Sequence, residues 1–137
     1  MTAIYHHEVQ VTPEMVDRNG HVNNVAYIQW MQDAAVAHAR SSGCTAATSA
    51  LDATWVARMH HIEYLRPAFA GDSITVLTWV ANFRKVRSLR KYRMVRASDR
   101  AVVAEAETDW VLVDAATGRP RPISQEIQNT IPATSGP

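Results

Sequence analysis

The segment V-A-Y-I-Q-W-M-Q-D-A-A-V-A-H-A-R, Val25 to Arg40, decides the fold. Helix formers dominate it, and Val25, Ile28, Met31, Ala35, Val36 and Ala39 recur at helical spacings. Gly43 is the stop, because glycine enters the left-handed conformation that ends helices without a steric penalty. Tyr27, Trp30, Ala34 and Ala37 make the other faces apolar as well. A helix apolar on every side is not built to lie half in water; it has to be surrounded.

What surrounds it lies outward along the chain. Trp55 to Arg66, Ser73 to Phe83, Ser88 to Ala97 and Ala101 to Val113 are rich in Val, Ile, Trp, Tyr and Thr, without an internal proline, and each reads as a strand. Ile4 to Val11, ended by Thr12-Pro13, reads as another strand ahead of the helix. The breaks Pro67 to Asp72, Arg84 to Arg87 and Ser98 to Arg100 are short enough for hairpins, so the last four strands read as a meander. The expectation is an α+β fold, a curved antiparallel five-stranded sheet wrapped around one long central helix. Thr117-Gly118-Arg119-Pro120 reads as a turn after the last strand. One domain is expected over residues 1–123, followed by a polar, flexible C-terminal tail over 124–137 that adds little core.

Composition narrows the function classes. With 47% hydrophobic and 20% charged residues, the chain is globular in character. No run approaches the roughly 18 consecutive apolar residues of a membrane span, and Met1 to Val11 lacks the basic start and apolar middle of a leader. A cytoplasmic protein without membrane insertion is the expectation. The single cysteine, Cys44, reads as a packed small residue. His6-His7 and His60-His61 do not make a metal site, since neighbours on a strand point to opposite faces; no metal is expected. A net charge of +1 exerts no global pull on nucleic acid, and none is expected as a partner. Yet Arg84, Lys85, Arg87, Arg90, Lys91, Arg93 and Arg96 put seven of the 14 basic residues in one short band.

Asp17-Arg18-Asn19-Gly20-His21-Val22-Asn23-Asn24 sits just before the helix and is dense in groups that donate, accept or transfer protons. A helix start offers free N–H groups and a partial positive charge, which suits an anion or a developing oxyanion. Asn23 or Asn24 is the natural N-cap. A plain turn and cap uses the same residue types, although one cap and one glycine would suffice for that.

The run D-R-N-G-H-V-N-N-V-A-Y-I-Q-W, Asp17 to Trp30, resembles the hotdog acyl thioesterases of the 4-hydroxybenzoyl-CoA thioesterase-like kind. Within them it closely resembles the D-x-N-x-H-V-N-N-x-x-Y run of plant fatty acyl-ACP thioesterases. The likeness continues in I-E-Y-L-R-P-A, Ile62 to Ala68, in G-D-S-I, Gly71 to Ile74, and in T-D-W-V-L-V-D, Thr108 to Asp114, and covers about Ile4 to Ile123. It implies the hotdog fold, a site at a dimer interface, and hydrolysis of an acyl-CoA or acyl-ACP thioester. Coenzyme A or phosphopantetheine then belongs to the substrate, and no separate cofactor is implied. Asp17 matches the family's catalytic carboxylate, and Asn19 and His21 match the Asn and His of the plant-type motif. Glu63 matches the acidic residue placed before a strand tyrosine. Asn24 matches the helix-start position whose backbone N–H serves the oxyanion; many bacterial acyl-CoA members carry His there.

Elementary chemistry agrees with this assignment. A thioester carbonyl needs a nucleophile and a place for negative charge, while its thiol, with a pKa around 8.5, leaves with little acid help. Asp17 can attack directly or act as general base on water. His21 reads as an orienting group or as a merely hydrogen-bonded histidine. Arg87, Arg90 and Arg93 read as contacts for coenzyme A phosphates or an acidic carrier protein, with a solvated arginine surface as the alternative. Trp55, Trp79 and Trp110 read as core or interface, and Ala46 to Ala53 as a border of the acyl pocket. A homodimer or homotetramer is expected, because a wrapped sheet leaves an edge that proteins usually cover. The alternative function is a non-catalytic hotdog module that binds acyl-CoA or an acyl carrier protein.

Overall fold

The computed structural model describes residues 3–137; Met1 and Thr2, part of the segment read for a leader, lie outside the described residues. The elements are β1 (Tyr5–Gln10), α1 (Asn24–Ser42), α2 (Cys44–Ala50), β2 (Ala53–Tyr64), β3 (Ser73–Arg84), β4 (Arg87–Arg96), β5 (Val102–Asp114) and α3 (Gln125–Gln128), with a 3-10 turn at Pro13–Met15. The five strands form one antiparallel sheet in the order β1-β3-β4-β5-β2. Register shifts at Ala57/Met59, Val80/Asn82 and Met94/Val95 interrupt the ladders, the kind of irregularity that bends a strand and sharpens its twist.

Helix α1 begins and ends where local chemistry places its boundaries. Asn23 Oδ1 accepts the N–H of Ala26 at 2.9 Å, and Gly43 closes the helix at φ 90°. Tyr27, Trp30, Met31, Ala34, Ala35 and His38 are buried. Within one chain, however, the helix is covered on one side only, since Val25, Ile28 and Val36 remain exposed. The helix that looked apolar all round is thus half surrounded. Directly after Gly43 the chain turns into α2, a helix hidden in the sequence by its small, polar composition. Trp55 Nε1 fastens it to β2 by donating to Thr48 Oγ1 at 3.1 Å.

The expected four-strand meander is corrected. β3, β4 and β5 follow one another, with Lys85 and Arg100 taking positive φ at the two turns, but β2 pairs with β5 and not with β3. The link Leu65–Asp72 therefore crosses the end of the sheet over three strand spacings, about 14 Å, within reach of a short extended segment. Pro67 favours that route, because the residue before a proline is held extended. β1 occupies the edge of β3 that a hairpin with β2 would have used.

The C-terminal segment is also corrected, since it is part of the core. Ile123, Ile127 and Ile131 are buried against Leu112, Val80 and Cys44, and Ser124 Oγ caps the α3 turn by accepting the N–H of Ile127 at 3.2 Å. Beyond it, the N–H of Thr134 donates to Val80 O at 3.0 Å. Gly136 then lies so close to the indole of Trp79 that a Cβ would stand 2.8 Å from the ring. Ile127 lies on the short α3 turn and Ile123 and Ile131 flank it, three buried apolar side chains that the polar average of the segment conceals.

Candidate active site

The loop ahead of α1 is a turn built on Asp17. Asp17 N–H donates to His21 O at 2.8 Å, Gly20 N–H to Asp17 O at 3.1 Å, and Gly20 takes φ 79°. The Asp17 carboxylate organises it, because Oδ1 accepts the backbone N–H groups of Asn19 at 2.8 Å and His21 at 3.2 Å. Two further bonds pin the loop, from Val22 N–H to Ala68 O at 2.9 Å and from Asn23 N–H to Met15 O at 2.7 Å. His21 packs edge-on against Phe69, with centroids 5.5 Å apart.

Asp17, His21 and Asn24 converge on one cavity of about 260 Å³, completed by Val22, Tyr27 and the Tyr64-to-Pro67 segment. Since Asn23 is the cap, Asn24 is the first helical residue, one of those whose N–H has no partner inside the helix. Tyr27 lies deeper; burial pushes its phenol pKa up, so it stays neutral as a hydrogen-bonding group. Its ring meets Tyr64 at 5.1 Å and Trp30 at 5.0 Å.

Two of the expected site residues stand apart. Asn19 offers its backbone to Asp17 but does not line the cavity. Glu63 is opposite Glu105 on the outer face of the sheet, where its carboxylate meets His61 Nε2 at 3.4 Å. The residue beside it, Tyr64, is the one that faces the cavity. Strand alternation makes this parity a property of register, which the motif alone does not reveal.

The basic band divides in the same way. Along β4, Ser88, Arg90, Tyr92 and Met94 are buried, while Arg87, Lys91 and Arg93 belong to the opposite face. Of the three arginines expected to contact coenzyme A or a carrier protein, Arg87 and Arg93 thus share one face of β4 and Arg90 lies on the other. On the outer face, Asp109 accepts bonds from Arg58 Nη1 at 2.9 Å and Arg87 Nε at 3.0 Å, and the Arg87 hydrogen bond leads the effects that hold its carboxyl below the usual range. Arg93 sits 3.5 Å from Glu105, with its guanidinium 5.9 Å from the Trp79 ring centroid.

Arg90 opens onto a second cavity, about 280 Å³, between the C-terminal half of α1, α2 and the inner face of the sheet. Trp55, Phe83 and Trp110 supply its aromatic walls, and Thr48, Ser49 and Ala53 come from the segment expected to border an acyl pocket. Trp79, by contrast, is covered by the C-terminal segment. Neighbouring His60 and His61 point apart: His60 Nδ1 meets Thr108 Oγ1 at 2.8 Å, whereas His61 meets Glu63. Among the described residues, no group of three or more His, Cys, Asp or Glu gathers at metal-binding range. No helix among them is long and apolar enough to cross a membrane.

A five-stranded antiparallel sheet around one long helix, with a polar loop at the helix start, is the architecture of hotdog-fold thioesterase-like proteins. The chain belongs to the thioesterase-like superfamily, whose model matches residues 11–131. Its fold is shared with the probable thioesterase YbaW of Escherichia coli, at TM-score 0.85 and 21% identity, over 92% of this chain and 95% of that one. It is shared equally with Slr0204, a 1,4-dihydroxy-2-naphthoyl-CoA thioesterase of Synechocystis, at TM-score 0.83 and 21% identity over 98% and 99%. The 12:0-ACP thioesterase of Umbellularia californica aligns at TM-score 0.84 and 21% identity, over 94% of this chain and 49% of that one. No curated protein matches the chain in sequence.

Proposed function

We propose that this protein hydrolyses an acyl thioester, carried on coenzyme A or an acyl carrier protein, at the cavity shared by Asp17, His21 and Asn24. The observation that carries the reading is the convergence of a carboxylate and a helix N-terminus on one cavity. Asp17 Oδ1 is held by two backbone N–H groups, which fixes the carboxylate and leaves Oδ2 for chemistry. The Asn24 N–H supports the oxyanion as the carbonyl becomes tetrahedral. Asp17 either takes a proton from the attacking water or adds to the carbonyl itself, giving an acyl anhydride that water then cleaves; both routes expel the thiolate, which takes up a proton, and end in free acid and thiol. His21 orients Asp17 or the water.

The reading includes a homodimer joined through β2. That strand is an edge with an unpaired ladder on one side, and Val56 and Met59 on it are 47% and 45% exposed. The open stripe of α1, with Val25 at 74%, supplies more apolar surface for the same partner. Antiparallel pairing of two β2 strands about a two-fold axis sets the Tyr64 end of one beside the Trp55 end of the other. The Asp17 cavity of one protomer then abuts the Arg90 cavity of its partner, so that one holds the thioester and the other the acyl group.

The test is thiol release, detected with Ellman reagent, from a panel of acyl-CoA and acyl-ACP substrates. Turnover of at least one member supports the hydrolase; tight binding of the panel without thiol release leaves a non-catalytic acyl-carrier module.

A further inference from the structure

Among the described residues, Arg90 is a buried cation without an anion. It is 5% exposed, and among the described residues no carboxylate lies within ion-pair distance of it. Its bonds run from Nη1 alone, to His38 Nδ1 at 2.9 Å and Thr78 Oγ1 at 3.1 Å. A guanidinium has no acceptor lone pair, so His38 Nδ1 is itself the acceptor and this contact brings no negative charge. The nearby acidic groups are the Tyr92 phenol, which burial pushes up and keeps neutral, and the buried Cys44 thiol. Among the described residues, Nε and Nη2 bond no protein acceptor.

The contrast with Arg87 is instructive. Arg87 has found Asp109, and that hydrogen bond raises its pKa; Arg90 has found no carboxylate among the described residues, and burial lowers its pKa. Removing a charge from water without a counter-charge costs free energy, and arginine does not escape by giving up its proton at neutral pH. The side chain nonetheless lines the cavity beside Trp55, Phe83 and Trp110, and Arg40 of α1 lines the same cavity, so that it offers cationic groups as well as apolar walls.

We propose that this cavity receives the far end of an acyl group bearing a carboxylate, and that Arg90 is the residue that selects it. The aromatic walls hold the methylene or ring portion, and the free Nε and Nη2 edge offers a two-pronged donor to the carboxylate. At about 280 Å³ the cavity is small among ligand sites, which points to a short chain. The part of this inference that concerns turnover rests on the hydrolase reading above; the binding part does not.

Two ligand pairs test it: adipate against hexanoate for binding, followed by tryptophan emission from Trp55 and Trp110, and adipoyl-CoA against hexanoyl-CoA for hydrolysis. The parent is expected to bind adipate at least tenfold more tightly than hexanoate and to show the same preference in kcat/KM. Arg90→Gln should erase both preferences by bringing adipate affinity and adipoyl-CoA kcat/KM down to the levels of hexanoate and hexanoyl-CoA, and Arg90→Lys should restore part of them, which a packing role would not. Saturable adipate binding through Arg90 with no thiol release from either thioester refutes the hydrolase and leaves the carboxylate site standing. Equal binding of adipate and hexanoate by the parent, or displacement of adipate by inorganic phosphate at equal concentration, overturns the proposal. Because the first of these outcomes needs no variant, an Arg90→Gln protein that fails to fold does not rescue it.

Discussion

Asp17 Oδ1 accepts the backbone N–H of Asn19 at 2.8 Å, so the carboxylate proposed for chemistry is also the residue that shapes its own loop. An asparagine would keep this bond, because its amide oxygen accepts in the same place. Asp17→Asn therefore separates the two roles. The variant should melt as the parent does, while kcat for the best thioester falls by about two to four orders of magnitude, the range of a lost general base. A kcat within threefold of the parent would remove Asp17 from the mechanism.

The edge of β2 carries the second prediction. Light scattering of the parent should give about twice the 15.2 kDa chain mass, and Met59→Asp together with Val56→Asp should give the single-chain mass with activity lost. A parent that is monomeric and fully active would end the shared-site reading.

The divided arginine band leads to a split in kinetics. Arg93→Gln on the outer face should raise KM for an acyl-CoA several-fold and leave kcat nearly unchanged, since contact with a remote phosphate is made equally in ground and transition states. Unchanged KM with unchanged salt dependence would make Arg93 part of a solvated surface.

Docking of the C-terminal segment has a direct cost attached. Ile127 is fully buried, and Ile127→Ala should lower stability by about 2–5 kcal/mol, read from chemical denaturation. A loss under 1 kcal/mol would mean that the segment contributes little to the fold.

Arg96 supplies the pH prediction. Its guanidinium, bonded to Asp99 at 3.0 Å, holds the Asp99 carboxyl down to about 2, against an ordinary 3.8. Because the folded value is the lower one, the stabilisation is complete above about pH 4 and is lost as pH falls through about 2. In Arg96→Gln the Asp99 carboxyl, followed by NMR titration, should move toward 3.8. No movement would assign the depression to the Ala101 backbone instead.

Local chemistry in the sequence was enough to determine α1 with a cap at Asn23 or Asn24 and its Gly43 stop, the five strands to within about two residues, and the Asp17 turn. Each of these rests on a periodicity or a cap that spans a few neighbouring residues. Strand order was another matter: a short link permits a hairpin without requiring one, and β1 and β2 compete for partners far away in the chain. The docking of Ile127 and Ile131 depended on a groove formed by residues from Cys44 to Leu112. Arg90 was grouped with Arg87 and Arg93 in the sequence, and that no carboxylate among the described residues pairs with it becomes visible only when every surrounding strand is in place. Glu63 is the plainest instance, since the motif names it beside Tyr64 while the register with Glu105 turns it away from Asp17. Residue type and local period are written in sequence; which face meets which cavity is decided by pairing between distant segments.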